Sequence, residues 1–287
     1  MNQLPMFPST AGSGHLIVAY GGGVNTIATL IQLRRLGLRP AAIVMADPGD
    51  EWPETIAYRD DVANPWLASI GWPTVTVVSR ASEAQYRPRA HLTPQGTLRE
   101  ECTRIASLPS IAYGFKKCSL KFKRDPANWW LARQPWAIAA WARGEKITRA
   151  IGYDADEDYR VRDVFGEPWE AARLTPFYPL VAAGIDRDGC VTMIRGEGLP
   201  VPHKSACTFC PSNTIDEWND LRTRHPSRYA DAVAMSRNAR LDSPDVVGLM
   251  RCLPAGKRQL HLHVWNDSPV SCGANDSREL IDCECAL

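Results

Sequence analysis

Apolar residues fall in short blocks separated by stretches of helical period. His15–Tyr20 (HLIVAY) reads as a short buried strand. From Thr26 to Leu36 the apolar positions Ile27, Leu30, Ile31 and Leu33 recur at helical spacing, and Gly37 marks a stop. Ala41–Ala46 (AAIVMA) is a second buried strand, ending at Asp47. Helix-like sequence follows from Glu54 to Ile70, then a third strand over Thr74–Val78 (TVTVV). Trp129–Trp141 reads as helical and Ile147–Ile151 as a fourth strand ending at Gly152. Strand and helix alternate, which predicts parallel βαβ units and an α/β fold with a doubly wound, mostly parallel sheet. Residues 80–115 are less regular and rich in turn formers. Past residue 185 cysteine, histidine and proline become denser. The expected organisation is a disordered lead-in over 1–14, an α/β domain over 15–185 and a cysteine-rich C-terminal subdomain over 186–287.

Composition narrows this picture. The 287 residues suffice for one large α/β domain with an appendage, and 45% hydrophobic with 23% charged residues is an ordinary globular balance. The formal net charge is +1, so contact with nucleic acid must come from a local patch. No apolar run reaches the length of a membrane span. The opening MNQLPMFPSTAGSG has neither a basic nor an apolar region of the secretory kind, so a cytoplasmic location is expected. In a reducing compartment nine cysteines point to metal ligation or thiol chemistry before structural disulfides.

The first strand runs into Gly21-Gly22-Gly23-Val24-Asn25-Thr26, directly ahead of a helix. Glycines there let backbone N–H groups approach an anion, and the helix N-terminus adds its dipole. This predicts a phosphate site, with the Thr26 hydroxyl available to a phosphate or a metal; a plain tight turn is the alternative. The pattern is neither GxGxxG nor GxxxxGK[ST]. Asp47, at the carboxyl end of the second strand, is placed to touch a nucleotide or metal. Lys116, Lys117, Lys121, Lys123 and Arg124 put five basic residues within nine positions. They suit substrate phosphates or a nucleic-acid backbone, or else form a solvated face. Cys207 and Cys210 form a CxxC followed by proline, able to hold a metal or act as a redox pair. His203 is an alternative ligand. Cys252, Cys272, Cys283 and Cys285 form a second group, read either as a zinc-like site or as thiols without function. Trp129, Trp130, Trp136 and Trp141 are expected in packing rather than as base-stacking platforms.

The strand–GGGVNT–helix arrangement resembles the PP-loop, SGGxDS, of ATP pyrophosphatases and phosphoadenosine phosphosulfate (PAPS) reductases. Gly21 stands for the loop's first serine, Asn25 for its aspartate and Thr26 for its last serine. Asp47-Pro48-Gly49-Asp50-Glu51-Trp52-Pro53-Glu54-Thr55 resembles the family's DTGxxxPET segment. Leu108-Pro109-Ser110 and Gly114–Lys123 resemble its cysteine-plus-basic segment. Ile151–Glu157 with Arg160, Tyr178-Pro179-Leu180 and Lys204–Pro211 follow in the family's order. The set spans residues 15–220 and looks like the PAPS-reductase-like proteins (adenine nucleotide alpha hydrolase-like) of phages and bacterial mobile DNA.

The resemblance implies a Rossmann-like PP-loop domain. It implies ATP with Mg2+, bound by Tyr20, Gly21, Gly22, Gly23, Asn25, Thr26, Asp47, Gly152 and Arg160. It also implies a [4Fe–4S] cluster on Cys118, Cys190, Cys207 and Cys210, with Zn2+ the alternative, and DNA or tRNA as partner. In the family the loop aspartate helps hold magnesium; Asn25 keeps an oxygen but loses the charge, which weakens a hard cation's site. Three activities follow. ATP is cut between the α- and β-phosphates, AMP activates an oxygen of tRNA or DNA, and sulfur displaces it. Alternatively a tail thiol, Cys283 or Cys285, reduces a sulfonucleotide such as PAPS. The third is a repurposed member that modifies or excises a base in phage–host conflict, a phage-defence role without ATP cleavage. Asn25, Asp47, Cys283 and Cys285 are the catalytic candidates.

Overall fold

Two short, wholly apolar segments become the inner strands of one parallel sheet, because a strand covered by helices on both faces has no polar side to show. The computed structural model describes residues 15–85, 96–114, 117–242, 248–250 and 261–267. The strands are β1 (Leu16–Ala19), β2 (Ala42–Ala46), β3 (Val75–Val78), β4 (Ile147–Ala150) and β5 (Leu174–Phe177), in the order β3-β2-β1-β4-β5. Every neighbouring pair is parallel, and Val18 stands in register between Ile43 and Ala150. Helix α1 (Val24–Arg35) links β1 to β2, and α2 (Pro53–Tyr58) with α3 (Asn64–Ser69) links β2 to β3. Between β3 and β4 lie α4 (Arg80–Ala84), α5 (Leu98–Arg104), α6 (Lys117–Ser119), α7 (Asp125–Leu131) and α8 (Pro135–Ala142). Then come α9 (Pro168–Arg173) before β5, α10 (Pro179–Ala182), α11 (Arg187–Gly196), α12 (Ile215–Arg224), α13 (Pro226–Asp242) and α14 (Leu262–Asp267).

Alternate strand residues point to opposite faces. Leu16, Val18, Ile43 and Met45 meet Ile27, Leu30, Ile31 and Leu33 of α1, together with Cys190, Met193 and Ile194 of α11. Each fully buried aliphatic side chain there contributes about 1.5–3 kcal/mol. Ile17, Val44, Ile147 and Leu174 meet Ala127, Leu131 and Ala137 of α7 and α8, with Trp130, Trp136, Trp141 and Trp169 packed around them. A separate apolar cluster joins Trp52, Leu98, Cys102 and Phe122 to Phe209, Trp218, Leu221 and Trp265. Among the described residues no helix is long and apolar enough to cross a membrane.

The four expected strands form, each trimmed by a residue or two. The sequence reading missed β5, whose four residues LTPF include Pro176; proline's missing N–H is tolerated there because β5 is the sheet edge. The helix expected over Trp129–Trp141 is two helices. α7 ends at Leu131, and Gln134 adopts extended angles (φ −75°, ψ 124°), as a residue ahead of proline is pushed to do. The helix expected to follow Glu54 is continuous but contains a π turn, Arg59–Ala63, and a second π turn, Leu120–Arg124, joins α6 to α7. Each π turn ends two residues before a proline, Pro65 and Pro126. A helical proline cannot donate to the i−4 carbonyl and its ring crowds it, so a widened turn relieves the ladder.

Candidate functional site

The order of connections reverses between β1 and β4, and ligands of open α/β sheets settle outside the carboxyl ends of strands at such a point. A cavity of about 330 Å³ lies there. Its walls are the turn after β1, residues 152–154, 156 and 157 after β4, and Arg160, Arg187, Lys204 and Ser205.

The turn is shaped by its glycines. Gly22 has φ +82°, and a Cβ on it would come 2.6 Å from Thr55 Cγ2. Gly23 caps α1 without any side chain, so no side-chain oxygen occupies the helix's first N–H groups. Thr26 Oγ1 accepts a hydrogen bond from the Gly21 N–H at 3.1 Å, bracing the turn from inside. Across the cavity, a Cβ on Gly152 would stand 2.9 Å from the backbone carbon and oxygen of Asn25.

Asn25 is tied to both signs of charge. Its Nδ2 donates to Asp154 Oδ2 and to Glu157 Oε2, both at 2.9 Å, and its Oδ1 accepts from Arg187 Nη1 at 2.8 Å. Burial raises the Asp154 carboxyl above its ordinary range, against the opposing Asn25 hydrogen bond. Arg160 pairs with Glu157 and lies 4.0 Å over the Tyr153 ring, which stacks on Tyr178. Arg187 begins α11, whose N-cap Asp186 accepts from the Gly189 N–H at 2.7 Å. Lys204 Nζ is held by Glu217 Oε2 at 2.9 Å and by the Ser212 carbonyl at 3.1 Å.

Of the residues expected at a nucleotide site, Gly21, Gly23, Asn25, Thr26, Gly152 and Arg160 line the cavity. Tyr20 and Gly22 lie behind it; Tyr20 is buried, and burial pushes its phenol up. Asp47 is not in the lining, and its Oδ1 accepts from the Gly49 N–H at 2.7 Å. Asp154, Glu157, Arg187, Lys204 and Ser205 are in the lining and were not singled out as binding residues from sequence. Arg187 offers no local signal, since its partner Asn25 is 162 positions away.

The basic stretch is not one solvated face. Lys123 is buried, its Nζ 2.7 Å from Glu51 Oε1, and Lys121 pairs with Glu101. Lys117 is exposed, and Lys116 lies outside the described residues. The cysteines divide as well. Cys102, Cys207 and Cys210 belong to the cluster around Trp218, with Cys118 packed against it. Cys190, on α11, sits instead in the core that α11 shares with α1 and the sheet. Burial pushes the thiols of Cys102 and Cys190 up to about 12. Among the described residues, no three His, Cys, Asp or Glu side chains are gathered closely enough to hold a metal ion. Cys252, Cys272, Cys283 and Cys285 lie outside the described residues.

One segment joins the cavity to the thiols. Ser205 Oγ donates to the Gly21 carbonyl and stands 3.4 Å from Glu51 Oε2. Ala206 and Thr208 bond through their backbones to Trp52 and Asp50, and Glu51 and Cys207 form an antiparallel bridge. The chain after β2 thus templates the loop that carries CxxC.

Asp50, in that template, is buried with Arg99 Nε at 3.1 Å and Arg228 Nη1 at 3.2 Å from Oδ1. Burial outweighs both guanidinium groups and pushes its carboxyl from 3.8 to about 6. The folded chain then holds this proton more tightly than the unfolded chain. Its stabilising contribution is full below pH about 4 and is lost as pH rises through about 6. Asp50→Asn removes the dependence, so its stability relative to the parent is expected to rise by about 1–3 kcal/mol as pH goes from about 4 to 7. Thermal melts of both proteins across that range check this; a difference that does not move with pH would refute it.

No family model matches the chain, and no curated protein does. Among solved structures, the U34-tRNA thiolase NcsA from Methanococcus maripaludis with its [4Fe–4S] cluster is similar, with a TM-score of 0.38 and 15% identity. The match covers 79% of this chain and 72% of that one.

Proposed function

We propose that the chain is a PP-loop enzyme that binds an adenine nucleotide at the switch-point cavity and uses it to modify a nucleic acid, in a thiolation-type reaction. The observation that carries this reading is the segment Lys204–Cys210. Lys204 and Ser205 line the cavity, and Cys207 and Cys210 lie in the thiol cluster a few residues on. A phosphate site and a sulfur site on one short segment suit a reaction that activates an oxygen with a nucleotide and replaces it with sulfur.

In this reading the free N–H groups of the first turn of α1 meet phosphate oxygens, with charge stabilisation from Arg160 and Lys204. Gly152 lets the two walls close to contact distance. Cleavage between the α- and β-phosphates releases pyrophosphate and leaves AMP on the acceptor oxygen; sulfur then displaces AMP. The cluster around Trp218 gathers thiols, the donor type that iron–sulfur and zinc centres use, but no three of them stand close enough together to hold a metal ion. Cys118, Cys207 and Cys210 share that cluster with Cys102, and Cys190 lies in the other core.

The test is anaerobic incubation of the purified chain with α-labelled ATP and Mg2+, with and without tRNA or DNA. AMP release stimulated by one nucleic acid is the expected result. No AMP under any condition, from folded protein with its thiols or metal intact, would overturn the proposal.

A further inference from the structure

The side chain at position 25 decides what the cavity offers beside the phosphates. Both Asn25 N–H bonds end on carboxylates, and its Oδ1 receives a guanidinium N–H. A carboxylate accepts and a guanidinium only donates, so these partners fix which way the amide points. The loop therefore turns hydrogen-bond donors, not oxygens, toward Asp154 and Glu157. A divalent cation at this place would have to displace both N–H groups and hold two carboxylates that Asn25 already satisfies. The residues present do not fit a loop-bound Mg2+.

The charge that such an ion would supply is available from another source. Arg160 and Lys204 are each matched by a carboxylate, Glu157 and Glu217. Among the described residues no carboxylate lies at ion-pair distance from Arg187; its guanidinium is held through Nη1 by the neutral Asn25 carbonyl. Its remaining N–H groups keep the planar fork that suits phosphate or sulfate oxygens.

We propose that Arg187, aimed by Asn25, holds the anionic group of the bound nucleotide in this pocket, and that the nucleotide binds without a divalent cation on the glycine loop. The proposal rests on the nucleotide reading of the cavity and narrows its ligand to a phosphate- or sulfate-bearing nucleotide whose charge is met by protein cations.

Isothermal titration of the full chain with ATP, in excess EDTA and in excess MgCl2, tests it. Affinity in EDTA is expected within about threefold of that in Mg2+, well under the tenfold that 1.4 kcal/mol would give. Arg187→Met is expected to weaken binding about 10- to 100-fold in both buffers, the scale of a lost charge-assisted contact, and Arg187→Lys by less. Asn25→Asp sets a third carboxylate against Asp154 and Glu157, so its binding is expected to fail in EDTA and return with Mg2+. Circular dichroism melts establish that each variant is folded, and Arg187→Lys keeps the test open if the methionine variant is not. Wild-type binding only in Mg2+, or Arg187→Met binding like the parent, would overturn the inference and leave the nucleotide reading standing. No binding of ATP in either buffer would overturn the nucleotide reading itself.

Discussion

Replacing Arg149 with methionine is expected to lower folding stability by about 3–5 kcal/mol, the range for stranding one partner of a buried ion pair. Arg149 lies on β4 and is almost wholly buried, at 2% exposure. Its Nη1 donates to Glu170 Oε1 at 2.7 Å and its Nη2 to Asn128 Oδ1 at 2.6 Å. Asn128 Nδ2 completes the triangle on Glu170 Oε1 at 3.0 Å. Methionine fills much of the volume but leaves the Glu170 carboxylate in the core with a single neutral donor. Pairing it with Glu170→Leu removes the stranded charge, and the double variant is expected to recover more than half of the loss. Urea denaturation of the three proteins decides the matter. A single variant within about 1 kcal/mol of wild type would mean the pair contributes no more than a surface contact.

Gly152→Val is expected to weaken nucleotide binding more than tenfold while costing about 1–3 kcal/mol of stability, the usual scale of overpacking. The first added carbon already meets Asn25 backbone atoms at 2.9 Å and the Thr26 nitrogen at 3.1 Å. Backbone cannot rotate away as a side chain can, so the glycine turn itself must move, and with it the N–H groups at the start of α1. Gly166→Ala is the matched control, since a Cβ there meets nothing within 4 Å. Calorimetric titration with ATP and thermal melts separate binding from folding. Unchanged affinity in a folded Gly152→Val would show that the turn yields and that its position is not what binds.

The centre of the sheet was legible because β1 and β2 are written as unbroken apolar runs, LIVA and AIVMA, between turn formers. The glycine turn was legible for a related reason: only a backbone requirement explains three adjacent glycines. What lay hidden depends on distance along the chain. Asn25 reaches Asp154, Glu157 and Arg187 across more than a hundred positions, and nothing local to any of them records the others. Cys102 has no partner at ligand spacing, so only the packing of α5 against the C-terminal helices brings it beside Cys118. Cys190 stood in the order expected of a ligand, but the amphipathic α11 buries that face against α1. β5 escaped because an edge strand tolerates a proline that an interior strand would not.

Lys123 was misplaced for a different reason: a count of basic residues does not say which way each one faces, and the helix that carries this one is unevenly wound. The π turn over Leu120–Arg124 holds one residue more than α-winding would place in the same rise. In a regular helix each residue advances about 100° around the axis, so one surplus residue resets the phase of everything after it. Periodicity read across such a turn assigns faces correctly on one side and about a quarter-turn out on the other. Lys123 lies inside that turn, two residues on from Lys121 and so close to the opposite side of the axis, where it meets Glu51. The surplus residue is therefore a unit of information in itself. Deleting Leu120 would leave every charge of the stretch in place, yet would rotate the segment ahead of the turn by about a quarter-turn against α7 and against the Lys123–Glu51 pair at the CxxC template.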